Sequence, residues 1–128
     1  LDDSQFIQVK SLEGELLYTQ KRKRLGCTLT TKELIIQQPH TTYHMLLDDI
    51  IGIIPFQLEN TSRPIGIVGE TEIVTRFPRQ YYKVAVRELY VIKRNGILQR
   101  NDAHLIVPFN RRFMDKMAEH SGLTVLPV

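Results

Sequence analysis

Apolar and polar positions alternate with the period of β-strands over most of the first hundred residues. Leu25, Cys27 and Leu29 alternate with Gly26, Thr28 and Thr30, the spacing of a strand with one buried face. Thr31-Lys32 marks a turn before Glu33-Leu34-Ile35-Ile36-Gln37, and Pro39-His40 marks the next break. Residues 42–47 read as a further strand. Residues 48–56, with Ile50, Ile51, Ile53 and Ile54 in near-continuous succession, read as a more deeply buried one. From 57 to 70, Asn60, Thr61, Ser62, Pro64, Gly66 and Gly69 indicate a connection holding a short strand at 65–68.

Strands resume at 72–75 and 81–86, where Tyr82, Val84 and Val86 alternate with Tyr81, Lys83 and Ala85, and 89–93 continues the sheet. Asn95-Gly96, set between Val91-Ile92 and Ile97-Leu98, is the strongest hairpin signal in the chain. A last short strand follows at 103–107. After Pro108 the period changes. Asn110 offers an N-cap, Phe113, Met114, Met117 and Ala118 form an apolar stripe of helical spacing, and Gly122 supplies a stop. The pattern predicts a mainly β fold of seven or more strands closed by one C-terminal helix over about 110–121.

A chain of 128 residues, 42% apolar and 24% charged, has the length and composition of one compact domain, 1–128, that buries its core without metal or disulfide staples. No run reaches the roughly 18 apolar residues of a membrane-spanning helix. The single cysteine, Cys27, lies in the alternating pattern and reads as a small buried hydrophobe in a reducing, cytoplasmic setting. The N-terminus lacks the charged and apolar regions of a signal peptide, and its opening on Leu1 rather than Met suggests processing or excision from a longer chain. Asn60-Thr61-Ser62 fits a glycosylation sequon, a triplet common by chance.

The residue types that carry catalysis do not fall into working frames. His40 and His44 have the H-x-x-x-H spacing that grips zinc on a helix, but Pro39 and Thr41-Thr42 favour a strand or turn. Four residues apart on a strand, the two rings would lie roughly 13 Å from each other. Asp48 and Asp49 are strand-boundary neighbours that point to opposite faces rather than to one reacting bond. Gly66-Ile67-Val68-Gly69-Glu70 is not followed by Gly-Lys-Ser/Thr or by a helix pattern, as a phosphate loop would be. The sequence favours a binding module over an enzyme, with no cofactor or metal implied.

Charge then picks out one segment. Net charge is only +3, yet Lys21-Arg22-Lys23-Arg24 contributes four positive charges by itself. Residues 76–112 hold nine Arg or Lys against Glu88 and Asp102, whereas 25–75 sums to −4. This asymmetry builds a basic face if the fold brings 21–24 and 76–112 together. Nucleic acid is disfavoured: Arg111 and Arg112 open the helix and Tyr81, Tyr82 and Tyr90 lie near cations, but Tyr82 fits the core period. Near an anionic membrane each Lys or Arg contributes roughly 1 kcal/mol, so four give about 4 kcal/mol, or roughly a thousandfold. The bland alternative is a solvated turn that protects an edge strand from aggregation. A strand continuing through 21–24 would divide the cations between two faces, whereas a turn leaving the sheet would gather all four.

The order of these elements carries a resemblance. Gly14-Glu15-Leu16-Leu17-Tyr18, the basic turn, the segment from Leu25 to Ile36 and Tyr43-His44-Met45-Leu46-Leu47-Asp48-Asp49-Ile50-Ile51-Gly52-Ile53 together resemble the pleckstrin-homology superfamily, in particular its GRAM-like and bacterial PH-like branches. The resemblance spans nearly the whole chain, terminal helix included. It implies a bent seven-stranded antiparallel barrel or sandwich plugged by the helix through Phe113, Met114 and Met117. It also implies binding of anionic lipid headgroups through the first turn, here Lys21, Arg22, Lys23 and Arg24, although other members bind only proteins. The chain departs from the family pattern in bunching its cations before the second strand and in lacking tryptophan. Lys83, Arg87, Lys93 and Arg94 are candidate additional contacts. The expectation is a peripheral, non-catalytic module for anionic lipids, with a protein-interaction or scaffolding domain as the competing reading.

Overall fold

The computed structural model describes residues 12–22, 24–56 and 80–121. The expected connection at 57–70, the strands at 65–68 and 72–75, the sequon and the Gly122 stop lie outside the described residues. Among the described residues the chain forms seven strands: β1 (Leu16–Arg22), β2 (Leu25–Thr30), β3 (Glu33–Gln38), β4 (Thr41–Leu46), β5 (Ile50–Phe56), β6 (Tyr81–Lys93) and β7 (Gly96–Val107). One helix, α1 (Arg111–Ser121), follows, and a short 3-10 turn, Leu47–Asp49, joins β4 to β5.

All seven strands belong to one antiparallel sheet that curls into a half-barrel, in the order β1-β2-β3-β4-β6-β5 with β7 on β6. The hub is β6. Its one edge pairs with β7 from Tyr82↔Val107 to Lys93↔Gly96. Its other edge changes partner, taking β5 from Phe56↔Tyr81 to Ile50↔Val86 and then β4 from His44↔Tyr90 to Thr42↔Ile92. The buried positions change phase at the same place, from Val84 and Val86 to Leu89 and Val91. Asp102, on β7 across from this change, takes the left-handed conformation at φ 53. An Asp tolerates that region better than a branched residue would, and the conformation bends the ribbon without shifting its register.

The concave side is filled by Leu29, Leu34, Ile36, Met45, Ile53, Val84, Val86 and Leu89, all essentially inaccessible to solvent. Phe113, Met114 and Met117 of α1 complete this core, while Ala118, the fourth member of the predicted stripe, is exposed. The Phe113 ring stacks on Phe109 at 4.7 Å between centroids and meets Tyr18 edge-on at 6.0 Å. Burying such a ring contributes roughly 2–3 kcal/mol. Asn110 caps the helix: its Oδ1 accepts the Phe113 N–H at 2.8 Å.

Two buried polar side chains lock the ends of this arrangement. Gln20, in β1, is 5% exposed; its Nε2 donates to the Pro108 carbonyl at 2.9 Å and its Oε1 accepts the Asn110 N–H at 2.7 Å. The amide thereby fastens β1 to the connection that leads into α1. Glu33, at the start of β3, is 1% exposed. Its Oε1 accepts from the Glu13 and Gly14 backbone N–H groups and the Thr30 hydroxyl, each at 3.1 Å, and its Oε2 lies 2.8 Å from His44 Nε2. Gly14 has to be small here, because a Cβ would stand 2.7 Å from the Lys32 nitrogen and from the Thr30 and Thr31 hydroxyls.

Several expectations are corrected in detail. The apolar run over 48–56 is not buried on both faces: Ile51 and Ile54 are 64% and 44% exposed, while Ile50 and Ile53 face the core. Ile51 and Ile54 lie on the face turned away from the core, which no described residue covers. Residues 81–86 and 89–93 form one bent strand rather than two. The final strand begins at Gly96, not at 103. The predicted β6–β7 hairpin forms, but Arg94-Asn95 makes its turn, one place earlier than expected, which sets the pairs Ile92↔Ile97 and Val91↔Leu98. Gly96, at φ 148, sits one place later, as the first residue of β7.

Candidate functional site

Antiparallel alternation assigns each turn to one end of the sheet. The chain rises along β1, descends β2, rises along β3, descends β4, and rises again through the last part of β6. The β1–β2 hairpin, the Pro39-His40 turn and the Arg94-Asn95 turn therefore share one end. The Thr31-Lys32 bend and the Leu47–Asp49 turn share the other, where the Leu47 N–H donates to the Lys32 carbonyl at 2.8 Å.

Charge follows the same division. The segments that reach the first end, 18–29, 35–45 and 89–101, contain Lys21, Arg22, Lys23, Arg24, Lys93, Arg94 and Arg100 and not one Asp or Glu. The opposite end gathers Glu13, Glu15, Glu33, Asp48 and Asp49 around Lys32. Three inter-strand steps separate β2 from β6 in the sheet order, about 14 Å along the sheet at ~4.8 Å per step. Curling shortens the direct path. The nearest strands of the two basic turns thus lie a little more than one Debye length apart at 0.1 M salt, so their fields overlap most at lower ionic strength.

The sequence-picked cations separate on this frame. Lys21 and Arg22 belong to β1 and pair with Gly26 and Leu25, so the basic stretch does not leave the sheet as one loop. Only two residues connect β1 to β2; Arg24 is exposed, and Lys23 lies outside the described residues. Lys93 and Arg94, both exposed, join them from the β6–β7 hairpin. Arg87 does not: its guanidinium donates to the Asp48 carbonyl at 2.9 Å, toward the acidic end. Lys83 sits far down β6, opposite Ile106.

Arg100 is counted among the nine cations of 76–112 in the sequence but is not among the contacts the sequence singles out. It stands on β7 opposite Leu89, and its positive charge reaches Tyr43 of β4. Burial pushes the Tyr43 phenol above its ordinary range, and the Arg100 charge partly offsets that rise. Between β4 and the β6–β7 ribbon runs an open groove of about 670 Å³, floored by Leu89, Val91, Leu105 and Ile106. Lys83, Lys93 and Arg100 line it, and no carboxylate does. Three cations over an apolar floor suit an anion, since none is neutralised from within the groove.

The zinc-like histidine pair is not assembled. His40 occupies a turn at φ 68, and His44 is held by Glu33. Among the described residues no group of three or more His, Cys, Asp or Glu is placed to hold a metal ion. Burial raises the Cys27 thiol well above its ordinary range, which keeps it protonated and inert. Among the described residues no helix is long and apolar enough to cross a membrane. Compared with protein families, curated proteins and solved structures, the chain matches none.

Proposed function

We propose that this domain is a non-catalytic recognition module, of the PH-like kind the sequence resembles, that docks its basic end on anionic lipid headgroups at a membrane surface. The observation that carries this reading is topological. Two basic turns, distant in sequence, reach the same end of one sheet, and no carboxylate accompanies them. At roughly 1 kcal/mol for each Lys or Arg near an anionic surface, Lys21 to Arg24 contribute about 4 kcal/mol at best. Lys93, Arg94 and Arg100 raise that ceiling to about 7 kcal/mol and let two contacts act with avidity.

Co-sedimentation with phosphatidylcholine vesicles, with and without phosphatidylserine and at two salt concentrations, tests the reading. Wild type pellets only with the anionic vesicles and less so at high salt; the protein with Lys21, Arg22, Lys23 and Arg24 all changed to Glu stays in solution. Equal binding by both, or none by either, refutes the assignment. A protein-scaffolding role is the second reading, favoured by the outer edge of β7. Gly96 to Asp102 are exposed, and β7 pairs with β6 alone among the described strands, which leaves an edge open to strand addition. A binding partner retained after the charge reversal supports that role instead.

A further inference from the structure

We infer that the tip of the β6–β7 hairpin inserts its apolar residues, Ile97 and Leu98, into the acyl boundary of an anionic bilayer. This inference rests on the membrane reading above and adds a mode of contact to it. Ile97 and Leu98 are 69% and 55% exposed, at the extremity of a ribbon whose strands are 13 and 12 residues long. They pair across the ladder with Ile92 and Val91. The hairpin therefore offers one aliphatic side chain on each of its faces, and no described residue covers either. A strand that needed only solubility would carry polar residues at its exposed tip, as Gln99 and Asn101 do two and four positions further on.

The surroundings select the occupant. Lys93 and Arg94 precede the apolar pair and Arg100 follows it, and no carboxylate lies anywhere from 89 to 101. An apolar point ringed by cations is complementary to a surface with anionic headgroups outside and hydrocarbon beneath. Further back on the ribbon Tyr90 is 39% exposed, with its hydroxyl 3.2 Å from Glu88 Oε1. A phenol at that depth suits the headgroup layer. A second copy of this chain could offer compensating carboxylates only from its acidic end, where Leu12, Leu16 and Leu46 are also exposed, and that head-to-tail contact would propagate into rings or filaments rather than stop at one discrete particle. The bilayer is the occupant the charges favour.

The chain contains no tryptophan, so a single one reports unambiguously. Leu98→Trp, at an exposed position, gives an emission that shifts to the blue on adding phosphatidylserine vesicles and is quenched by brominated acyl chains. In a separate protein, Ile97→Ser with Leu98→Ser lowers the affinity for the same vesicles by on the order of tenfold to a hundredfold. Its melting temperature stays that of wild type, because neither side chain is in the core. Vesicle binding by the Leu98→Trp protein without blue shift or quenching overturns insertion while leaving headgroup binding intact. Failure of wild type to pellet with anionic vesicles removes the underlying reading and the insertion with it. A wild-type dimer in sedimentation velocity that the double serine protein converts to monomer assigns the patch to self-association and also overturns the proposal.

Discussion

Replacing Glu33 tests whether one buried carboxylate holds the N-terminal segment to the sheet. Glu33→Ala removes the acceptor of two backbone N–H groups and the Thr30 hydroxyl, and the partner of His44. Hydrogen bonds to a charged group contribute about 1.5–3 kcal/mol each, but Glu13 and Gly14 lie near solvent and rehydrate once released. The loss is therefore about 3 kcal/mol rather than the sum of four bonds. Glu33→Gln keeps an oxygen in the Oε1 position but gives up the charge and puts a donor where Oε2 accepted from His44, costing about 1–2 kcal/mol.

The pH dependence carries a sign that can be checked. Burial alone would raise the Glu33 pKa, but the bonds from His44, Gly14 and Thr30 outweigh it and hold the carboxyl below its ordinary 4.5. A depressed folded value means the stabilisation is fully present above the unfolded pKa and is lost as pH falls through the folded one. The stability gap between wild type and Glu33→Gln is thus largest at neutral pH and closes on acidification below about pH 4.5. Urea titrations of the three proteins from neutral pH into this range measure it, with midpoints shifting at constant slope. A glutamine variant as stable as wild type at neutral pH, or a gap that widens in acid, would refute the reasoning.

Gln20→Ala leaves the Pro108 carbonyl and the Asn110 N–H without their side-chain partner and opens a cavity. It lowers stability by about 2–4 kcal/mol in the same urea titration, with Gln20→Glu nearly as costly because the carboxylate faces the Pro108 carbonyl. Cys27 reacts with a thiol reagent only as fast as the protein unfolds, so its rate rises with denaturant; fast labelling of the native protein contradicts its burial.

The parts of the fold legible in sequence are those where one face is forced to be apolar. β2 shows clean alternation because Leu25, Cys27 and Leu29 all enter the core, and α1 shows its stripe for the same reason. Legibility fails where that force is missing or changes direction. β6 reads as two strands because its buried set shifts from Val84 and Val86 to Leu89 and Val91 across the bend. The first part of β7 carries no apolar rhythm because Gly96 to Asp102 face solvent, which is also why Arg100 counts as charge in the sequence but has no place in the predicted site. Glu33 and Gln20 look like ordinary polar positions, since burial of a satisfied polar group leaves no local trace. The basic cluster was legible as charge but not as geometry: joining 21–24 to 93–100 depends on β4 pairing with β6 across residues 57–79, a contact no local pattern announces.

The central claim is that one end of the half-barrel, and not the other, meets the membrane. Amide spectra of isotopically labelled protein titrated with phosphatidylserine-containing nanodiscs test it residue by residue. The account predicts broadening and shifts at the β1–β2 hairpin, at His40 and around Arg94 to Leu98, with Thr31, Lys32 and the Leu47–Asp49 turn unaffected. Perturbation centred on that acidic end, or confined to one basic turn with the other silent, would contradict it.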